Sequence, residues 1–422
     1  MERGCGRGGH MGTRQSSQYT FSQFVRGVLT LLVPLALLAS AAASSTTVIY
    51  SFTGGADGEY LDTDLVMDAA GNIYGTTVQG GKFSSGTVFE LSASGSGWTH
   101  SILYSFTGGA DGSEPYKGVT LDAHGNLYGT TVAGGSGSCD GGCGVVYKLT
   151  SSGGTWTQSV IHSFTGGNDG SGPGNGVTFD RRGNLYGMTP TGGAYGLGTV
   201  YQLQPQTGGA WKFRVLHAFT GGADGSSASA GRLILDRAEN LYGVTTVGGA
   251  NNSGVVFELT RTQTGWTLLP LYAFKDQPDG ALPYGGLIFD KAGNLYGTTY
   301  YAGVNDAGTV YRLTPANGVW TETVLYSFKG GTDGSSPIGG LVPDKAGNLY
   351  GTTSDGGTGC ACGVIFKLAN DSWIETVPYR FTGAPSAGFA YNGLVSGSNG
   401  KFYGATVHGG LANDGTIYEF TP

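Results

Sequence analysis

The sequence predicts an all-β protein, a seven-bladed β-propeller with four antiparallel strands per blade, on three observations. The phrase Gly347-Asn348-Leu349-Tyr350-Gly351-Thr352-Thr353 recurs in close copies, with its Tyr-Gly pair at Tyr74, Tyr128, Tyr186, Tyr242, Tyr296, Tyr350 and Tyr403, spaced by 53 to 58 residues. Each copy lies in a unit that reads as four short strands with turn signals between them. The two ends of the array are complementary. The chain after residue 43 opens with Val48-Ile49-Tyr50-Ser51-Phe52, which matches the end of a later unit, Leu103-Tyr104-Ser105-Phe106. It finishes on Gly415-Thr416-Ile417-Tyr418-Glu419-Phe420, the third-strand phrase of a unit that lacks its fourth strand. Units this small cannot bury a face alone and must stack. A linear stack needs polar capping units, and none is visible, so the N-terminal strand is expected to complete the C-terminal blade and close the ring.

Within a unit the first strand is a brief apolar piece such as Gly340-Leu341-Val342, followed by a tight turn at Asp344 and Ala346-Gly347-Asn348. The second strand is Leu349 to Thr353. A Gly-rich loop leads to the third, Val364-Ile365-Phe366-Lys367-Leu368, and a variable turn to the fourth. In an early copy of the fourth strand, Trp98, Ile102, Tyr104 and Phe106 share one face at period two. The seven Tyr are expected to pack between blades, each contributing roughly 1.5–3 kcal/mol if fully buried. The following residue, Gly129 in blade two, is expected to admit a close neighbouring strand.

Residues 1–43 read as a signal peptide. Arg3, Arg7, Arg14 and Arg26 give a basic start, Val28 to Leu38 an apolar run, and Ala41-Ala42-Ala43 a small-residue cleavage site. The run is short for a membrane span, which takes about 20 apolar residues, and Met11 offers a second start. Removing this segment takes away four Arg and one Glu, so the formal charge passes from −7 to −10. Phosphate binding needs clustered Lys and Arg, so nucleic acid is not expected as a partner. Residues 44–422 are expected to form one propeller, monomeric, with no span after cleavage, secreted, periplasmic or held at the cell surface.

Phrases such as Val324-Leu325-Tyr326-Ser327-Phe328, Gly331-Thr332-Asp333-Gly334 and Gly308-Thr309-Val310-Tyr311-Arg312-Leu313, with the Gly347–Thr353 phrase, resemble the GloVer tandem repeat of exported bacterial proteins. The resemblance covers residues 48 to 422. It implies an exported propeller-type repeat protein of uncharacterised function and transfers no catalytic residues.

Two Asp series recur. Asp57, Asp111, Asp169, Asp224, Asp279 and Asp333 each precede Gly, with Ser386 in blade seven. A carboxylate ring of this kind is a weak candidate for Ca²⁺, which takes 6 to 8 oxygens; the plainer reading is an Asp-Gly turn. No other cofactor is called for. The second series, Asp68, Asp122, Asp180, Asp236, Asp290 and Asp344, with Gly397 in blade seven, reads as turn formation on the opposite face.

Departures from the repeat point to function. Just before the innermost strand most blades carry Gly, but blade one has Asp64 and blade four Arg232. Both are placed at the channel mouth, with Tyr60, Asp62, Glu114, Tyr116, Tyr284, Phe389 and Tyr391 in nearby loops. Aromatic rings beside carboxylates suit sugar stacking and hydroxyl recognition. Loop side chains covering one another would give the same composition. His162 and His217 stand where Tyr104 and Tyr326 do and read as packing; His408 is the one histidine in a loop on the mouth side worth testing. Cys139 with Cys143, and Cys360 with Cys362, are expected to form local disulfides in equivalent loops of an exported chain, the second of them strained.

The leading functional expectation is a non-catalytic ligand-binding propeller for a carbohydrate or cell-surface polymer. One alternative is a polysaccharide hydrolase or lyase using Asp64, Glu114 and Arg232. The other is a structural envelope protein.

Overall fold

The computed structural model describes residues 44 to 422 apart from Ser96, Ala230 and Thr264; the expected signal peptide lies outside the described residues. Seven four-stranded antiparallel sheets form the blades of a ring. Six follow chain order from the axis outward. In blade one the strands are Val66–Met67, Ile73–Thr77, Thr87–Ser94 and Gly97–Ser105. The seventh sheet runs Val395–Ser396, Phe402–Thr406, Thr416–Thr421 and then Ser45–Ser51, so the N-terminal strand is its outer edge. That strand pairs Thr46 with Phe420 and Ser51 with Thr416, and touches the outer strands of blades one and six. The expected closure by the chain's own ends is therefore what the ring has.

The core is not one mass but seven layers, each between two blades. Second strands are buried along their whole length, because both faces meet a neighbouring sheet. The seven Tyr are between 2 and 7 % exposed. Each is joined by apolar residues of the next blade: Tyr242 clusters with Leu295, Tyr311 and Leu313. The outer-strand Trp enters the same layer. Trp98 meets Tyr403 at 5.9 Å, Trp211 meets Tyr128 at 6.2 Å, Trp266 meets Tyr186 at 6.0 Å and Trp320 meets Tyr242 at 6.4 Å, all edge-on. Blade seven has no such Trp, and there Tyr350 tilts against Phe402 at 4.9 Å instead.

The Gly after each Tyr leaves room for an aromatic ring of the third strand. A Cβ on Gly187 would run into the phenol of Tyr201, and one on Gly129 into that of Tyr147. The expected close approach is thus to a ring rather than to a strand backbone.

The second Asp series builds the lower turns. In blade one Asp68 Oδ1 accepts from the N–H groups of Ala70 and Asn72, both at 2.9 Å, and Oδ2 accepts from the Asn72 amide at 2.8 Å and the Tyr74 hydroxyl at 3.1 Å. The turn thereby fixes the Tyr that packs the blade. Blade seven replaces this with Asn399, which accepts from Lys401 N–H at 3.0 Å and donates to Tyr403 at 3.1 Å. Burial pushes the carboxyls of Asp68, Asp122 and Asp290 upward, but bonds from the Asn side chains and the backbone outweigh it and leave them below the usual range.

Two outer-strand carboxylates behave oppositely. Glu322 and Glu375 pack under the Tyr272 and Tyr326 rims of the preceding blades; burial, reinforced by Asp279 and Asp333 respectively, raises them from 4.5 to about 7. Lys275 opposes the shift at the first, Arg380 and Lys329 at the second.

Gly187→Ala should destabilise the protein by about 1–3 kcal/mol through overpacking against Tyr201, while Gly97→Ala, with no atom near its Cβ, should stay within about 0.5 kcal/mol, as read from urea unfolding. Stability should also bend twice with pH. The raised Glu322 and Glu375 keep protons that the unfolded chain releases, so their contribution is complete below about 4.5 and lost as pH rises towards about 7. The depressed turn carboxyls contribute above about 4, and that part is lost on further acidification. Urea midpoints should therefore fall on both sides of about pH 4.5, and Glu322→Gln with Glu375→Gln should flatten only the upper limb.

Candidate functional site

On the face where outer strands lead to inner strands, six of the seven loops carry the first Asp series, and the loop into blade seven has Ser386. Asp111 Oδ2 accepts from the Tyr104 hydroxyl and from Thr107 N–H, each at 2.9 Å. Asp57 and Asp333 hold Tyr50 and Tyr326 in the same way, at 3.1 and 2.7 Å. Asp169 and Asp224 hold His162 and His217, at 3.3 and 2.9 Å, which explains the histidines as packing residues. Asp279 closes the set with Tyr272 and Lys275 N–H. These six carboxylates are spaced one per blade around the rim and are occupied in their own turns. Among the described residues no three His, Cys, Asp or Glu gather as metal ligands.

Three residues on, each loop bends toward the axis at a left-handed residue: Tyr60, Glu114, Gly172, Ser227, Leu282, Ser336 and Phe389, with φ between 54 and 64°. At six of the seven the N–H reaches the preceding blade, as from Glu114 to Ser85 O at 3.1 Å, Gly172 to Cys143 O at 2.9 Å and Phe389 to Cys362 O at 2.9 Å. Its carbonyl accepts within its own blade, Val132 N–H reaching Glu114 O at 3.0 Å. A ring of such latches fixes the mouth. Two blades further stiffen it through Cys139–Cys143 and Cys360–Cys362, the expected local pairs, with Cα separations of 5.1 and 5.2 Å. Ala361 between the second pair is left-handed, with φ 56°.

Inside the latches lies a bowl of about 290 Å³ lined by Asp62, Glu114, Tyr116, Lys117, Tyr284 and Ile338. Tyr300 meets Tyr284 edge-on at 5.6 Å. Burial pushes the Tyr116 phenol up to about 12, aided by Tyr60, Asp62 and Glu114 close by. Burial also raises Tyr391, with Asp355, Tyr60, Tyr300 and Asp62 beside it. These phenols stay protonated and act as hydroxyl donors and acceptors. Tyr60, Asp62, Glu114, Tyr116, Tyr284 and Tyr391 are thus brought together at the mouth. Phe389 is nearby, edge-on to His408 at 5.5 Å, and His408 is held in a short ribbon opposite Gly388.

The floor is Lys117. Its ammonium pairs with Asp62 and donates to Asn392 Oδ1 at 3.2 Å, while the Asn392 amide donates to Leu61 O at 2.9 Å. Both side chains of the ion pair are largely enclosed, at 18 and 17 % exposure. Burial opposes the Lys117 charge, but Asp62 and Asp64 outweigh it and raise its pKa. Blades one, two and seven are tied together at one point.

Arg232 lies with Asp64 among the positions that precede the inner strands. From blade four it passes Gly176 of blade three to reach blade two, where Nη1 donates to Val119 O at 3.0 Å and Thr120 Oγ1 at 2.7 Å, and Nη2 to Lys117 O. Its guanidinium ties blade four to blade two. Asp64 and Arg232 line a separate cavity of about 220 Å³ with Leu65, Leu287 and Leu394. Glu114 belongs to the bowl, so Asp64, Glu114 and Arg232 do not share one cavity. Lys117, Asn392, Tyr300 and Asp355 are site residues that the sequence reading did not single out. The signal was present for two: Lys117 and Asn392 occupy the register where blades five and six have Gly285 and Gly339.

The fold and site define a seven-bladed β-propeller with a tyrosine- and carboxylate-lined mouth over a plugged channel. The chain belongs to the Gloeobacter/Verrucomicrobia repeat family, whose family model matches residues 136–362 and 271–422. No curated protein matches it. Among solved structures it is similar to a candidate 6-phosphogluconolactonase from Bacteroides uniformis, at 13 % identity and TM-score 0.49, over 75 % of this chain and 83 % of that one. A protein of unknown function from Dyadobacter fermentans is similar at 11 % identity and TM-score 0.48, over 90 and 98 %. The Trypanosoma rangeli sialidase is similar at 11 % and 0.44, over 90 and 59 %. At these values none of their activities transfers to this chain.

Asp62→Asn should cost about 1–3 kcal/mol in thermal or urea unfolding, because it leaves the enclosed Lys117 ammonium without its counter-charge. Lys117→Met combined with it should cost less than the two single changes added together, the mark of a direct pair.

Proposed function

We propose that this protein is an exported, monomeric, non-catalytic propeller that binds carbohydrate in the bowl. The observation that carries the reading is the lining itself: Tyr116 and Tyr284 stand with Asp62 and Glu114 in the bowl, and Tyr60 and Tyr391 lie beside Asp62 at its edge. Sugar rings offer apolar C–H faces that pack on aromatic rings, and hydroxyls that donate to carboxylates and exchange bonds with phenols. A concave pocket that joins apolar and aromatic side chains to a few placed polar groups is the usual form of a small-ligand site. The paired cysteines support a life in an oxidising compartment, secreted or periplasmic. Among the described residues no helix is long and apolar enough to cross a membrane.

The hydrolase reading loses its first constellation, since Glu114 faces the bowl while Asp64 and Arg232 line the cavity beneath. A catalytic pair would have to be sought in Asp62 and Glu114, and Asp62 is engaged by Lys117.

A screen of soluble glycans and polysaccharides, with and without Ca²⁺ and with product analysis of every hit, tests the reading. Retention without cleavage is expected, and Tyr116→Ala with Tyr284→Ala should weaken it by at least about tenfold, or roughly 1.4 kcal/mol. Release of shortened products would overturn the non-catalytic reading. Silence across the screen would favour a structural envelope protein.

A further inference from the structure

The face opposite the bowl carries the Asp-Gly-Asn turns and the hairpins between third and outer strands. Neighbouring blades leave grooves there, and two of them are floored by the Tyr of one blade and the Trp of the next. Between blades seven and one the groove measures about 390 Å³ and is lined by Met67, Trp98, Asn399, Tyr403 and Glu419. Its acid is neutralised, since Lys401 pairs with Glu419.

Between blades two and three the groove measures about 820 Å³. Two local features of the sequence set it apart. The blade-three hairpin is long, its strands ending at Pro205 and resuming at Trp211 around the short turn Thr207–Gly209, so that Pro205, Gln206 and Ala210 wall one side. In blade one the same hairpin runs from Ser94 directly to Gly97. The blade-three turn also reads Asp180-Arg181-Arg182-Gly183-Asn184, where blade one has Ala69-Ala70. Asp180 holds this turn through the backbone N–H groups of Arg182 and Asn184, both at 2.9 Å, so the turn needs neither arginine side chain.

Both arginines are exposed, and among the described residues neither guanidinium has a hydrogen bond or ion pair. Lys148 joins them with its ammonium over the Tyr128 ring at 5.5 Å, and His124 lies at the rim. The acids of this groove are recessed. Asp122 and Asp180 are each occupied by two backbone N–H groups, an Asn amide and a Tyr hydroxyl. Two exposed guanidiniums and the Lys148 ammonium therefore line a groove that also holds Phe179 and Trp211, on a chain whose residues 44–422 carry a formal charge of −10.

We infer that this groove is a second binding site, for an acidic polysaccharide: a linear chain of sugar rings bearing carboxylates. Arginine forks match planar carboxylates with two parallel bonds, an open groove admits a chain through its middle, and the aromatic wall takes the ring faces. The same ligand is disfavoured at the bowl, where Asp62 and Glu114 face it. The inference stands independently of carbohydrate binding there.

Calorimetric titration with tetragalacturonate and with an uncharged galactose tetramer tests it. The acidic oligomer should bind and the neutral one should not. Arg181→Gln with Arg182→Gln, exposed positions whose side chains the turn does not use, should weaken binding by about tenfold or more. Lys345→Ala, in the matching turn of blade six and outside the groove, should leave it unchanged. Wild-type affinity in the double variant, equal binding of the neutral tetramer, or equal loss on Lys345→Ala would overturn the proposal. So would a single-stranded oligonucleotide that binds as tightly, which would reduce the groove to charge alone.

Discussion

The rest of the molecule depends on one packing relation: the Tyr of a second strand wedged between its own blade and the aromatic and aliphatic side chains of the next. Tyr242 with Leu295, Tyr311 and Trp320 is representative. The wedge works because two other parts serve it. The Asp-Gly-Asn turn anchors the Tyr hydroxyl, as Asp236 does for Tyr242 at 3.3 Å, so the ring is both buried and satisfied. The Gly that follows removes the one side chain that would keep the third-strand ring out. Since every layer is shared by two blades, no blade is stable by itself, and the ring must be closed for the last layer to exist. The N-terminal strand supplies that closure.

A scaffold whose packing is repeated leaves its unrepeated positions free. The first Asp series illustrates the repeated side: six blades spend that carboxylate on the same Tyr or His and the same backbone N–H, which leaves little of it for a ligand. The inward positions show the other side. At one register the seven blades present Asp62, Tyr116, Gly174, Ser229, Tyr284, Ile338 and Tyr391, no two neighbours alike, held by left-handed latches that hardly vary. Rigid backbone with variable side chains is the arrangement that lets a site be specified without cost to the ring.

Much of the fold was legible in the sequence because it is written seven times. Counting Tyr-Gly pairs gives the blades, and matching Tyr50-Ser51-Phe52 to Tyr104-Ser105-Phe106 gives the closure. The bowl was legible only as a neighbourhood. Tyr60, Asp62, Glu114, Tyr116, Tyr284 and Tyr391 could be assigned to mouth loops by register, but the pairing that organises them joins residues 55 and 275 positions apart, Lys117 with Asp62 and with Asn392. Nothing local encodes such a contact. The partners of Arg232 were hidden for a related reason. Register put its Cα correctly before an inner strand, yet the inner positions around it are largely glycine, and a long side chain facing that space extends past Gly176 until it finds the carbonyls of blade two. Its reach depends on what blades two and three lack, which the blade-four sequence does not contain.

The two ends of the propeller axis consequently carry different chemistry on one repeated frame. On the mouth face the cation that lines the bowl, Lys117, is already committed to Asp62 and Asn392. On the other face the turn Asp is committed instead, and the positions beside it are open to Arg181, Arg182 and their counterparts Arg237, Lys291 and Lys345. In both cases the backbone turn determines which charge is used up and which projects. A change at Arg181 leaves the Asp180 bonds intact, and a change at Tyr284 leaves the Leu282 latch intact, so either face can change its ligand without disturbing the inter-blade layers that keep the ring closed.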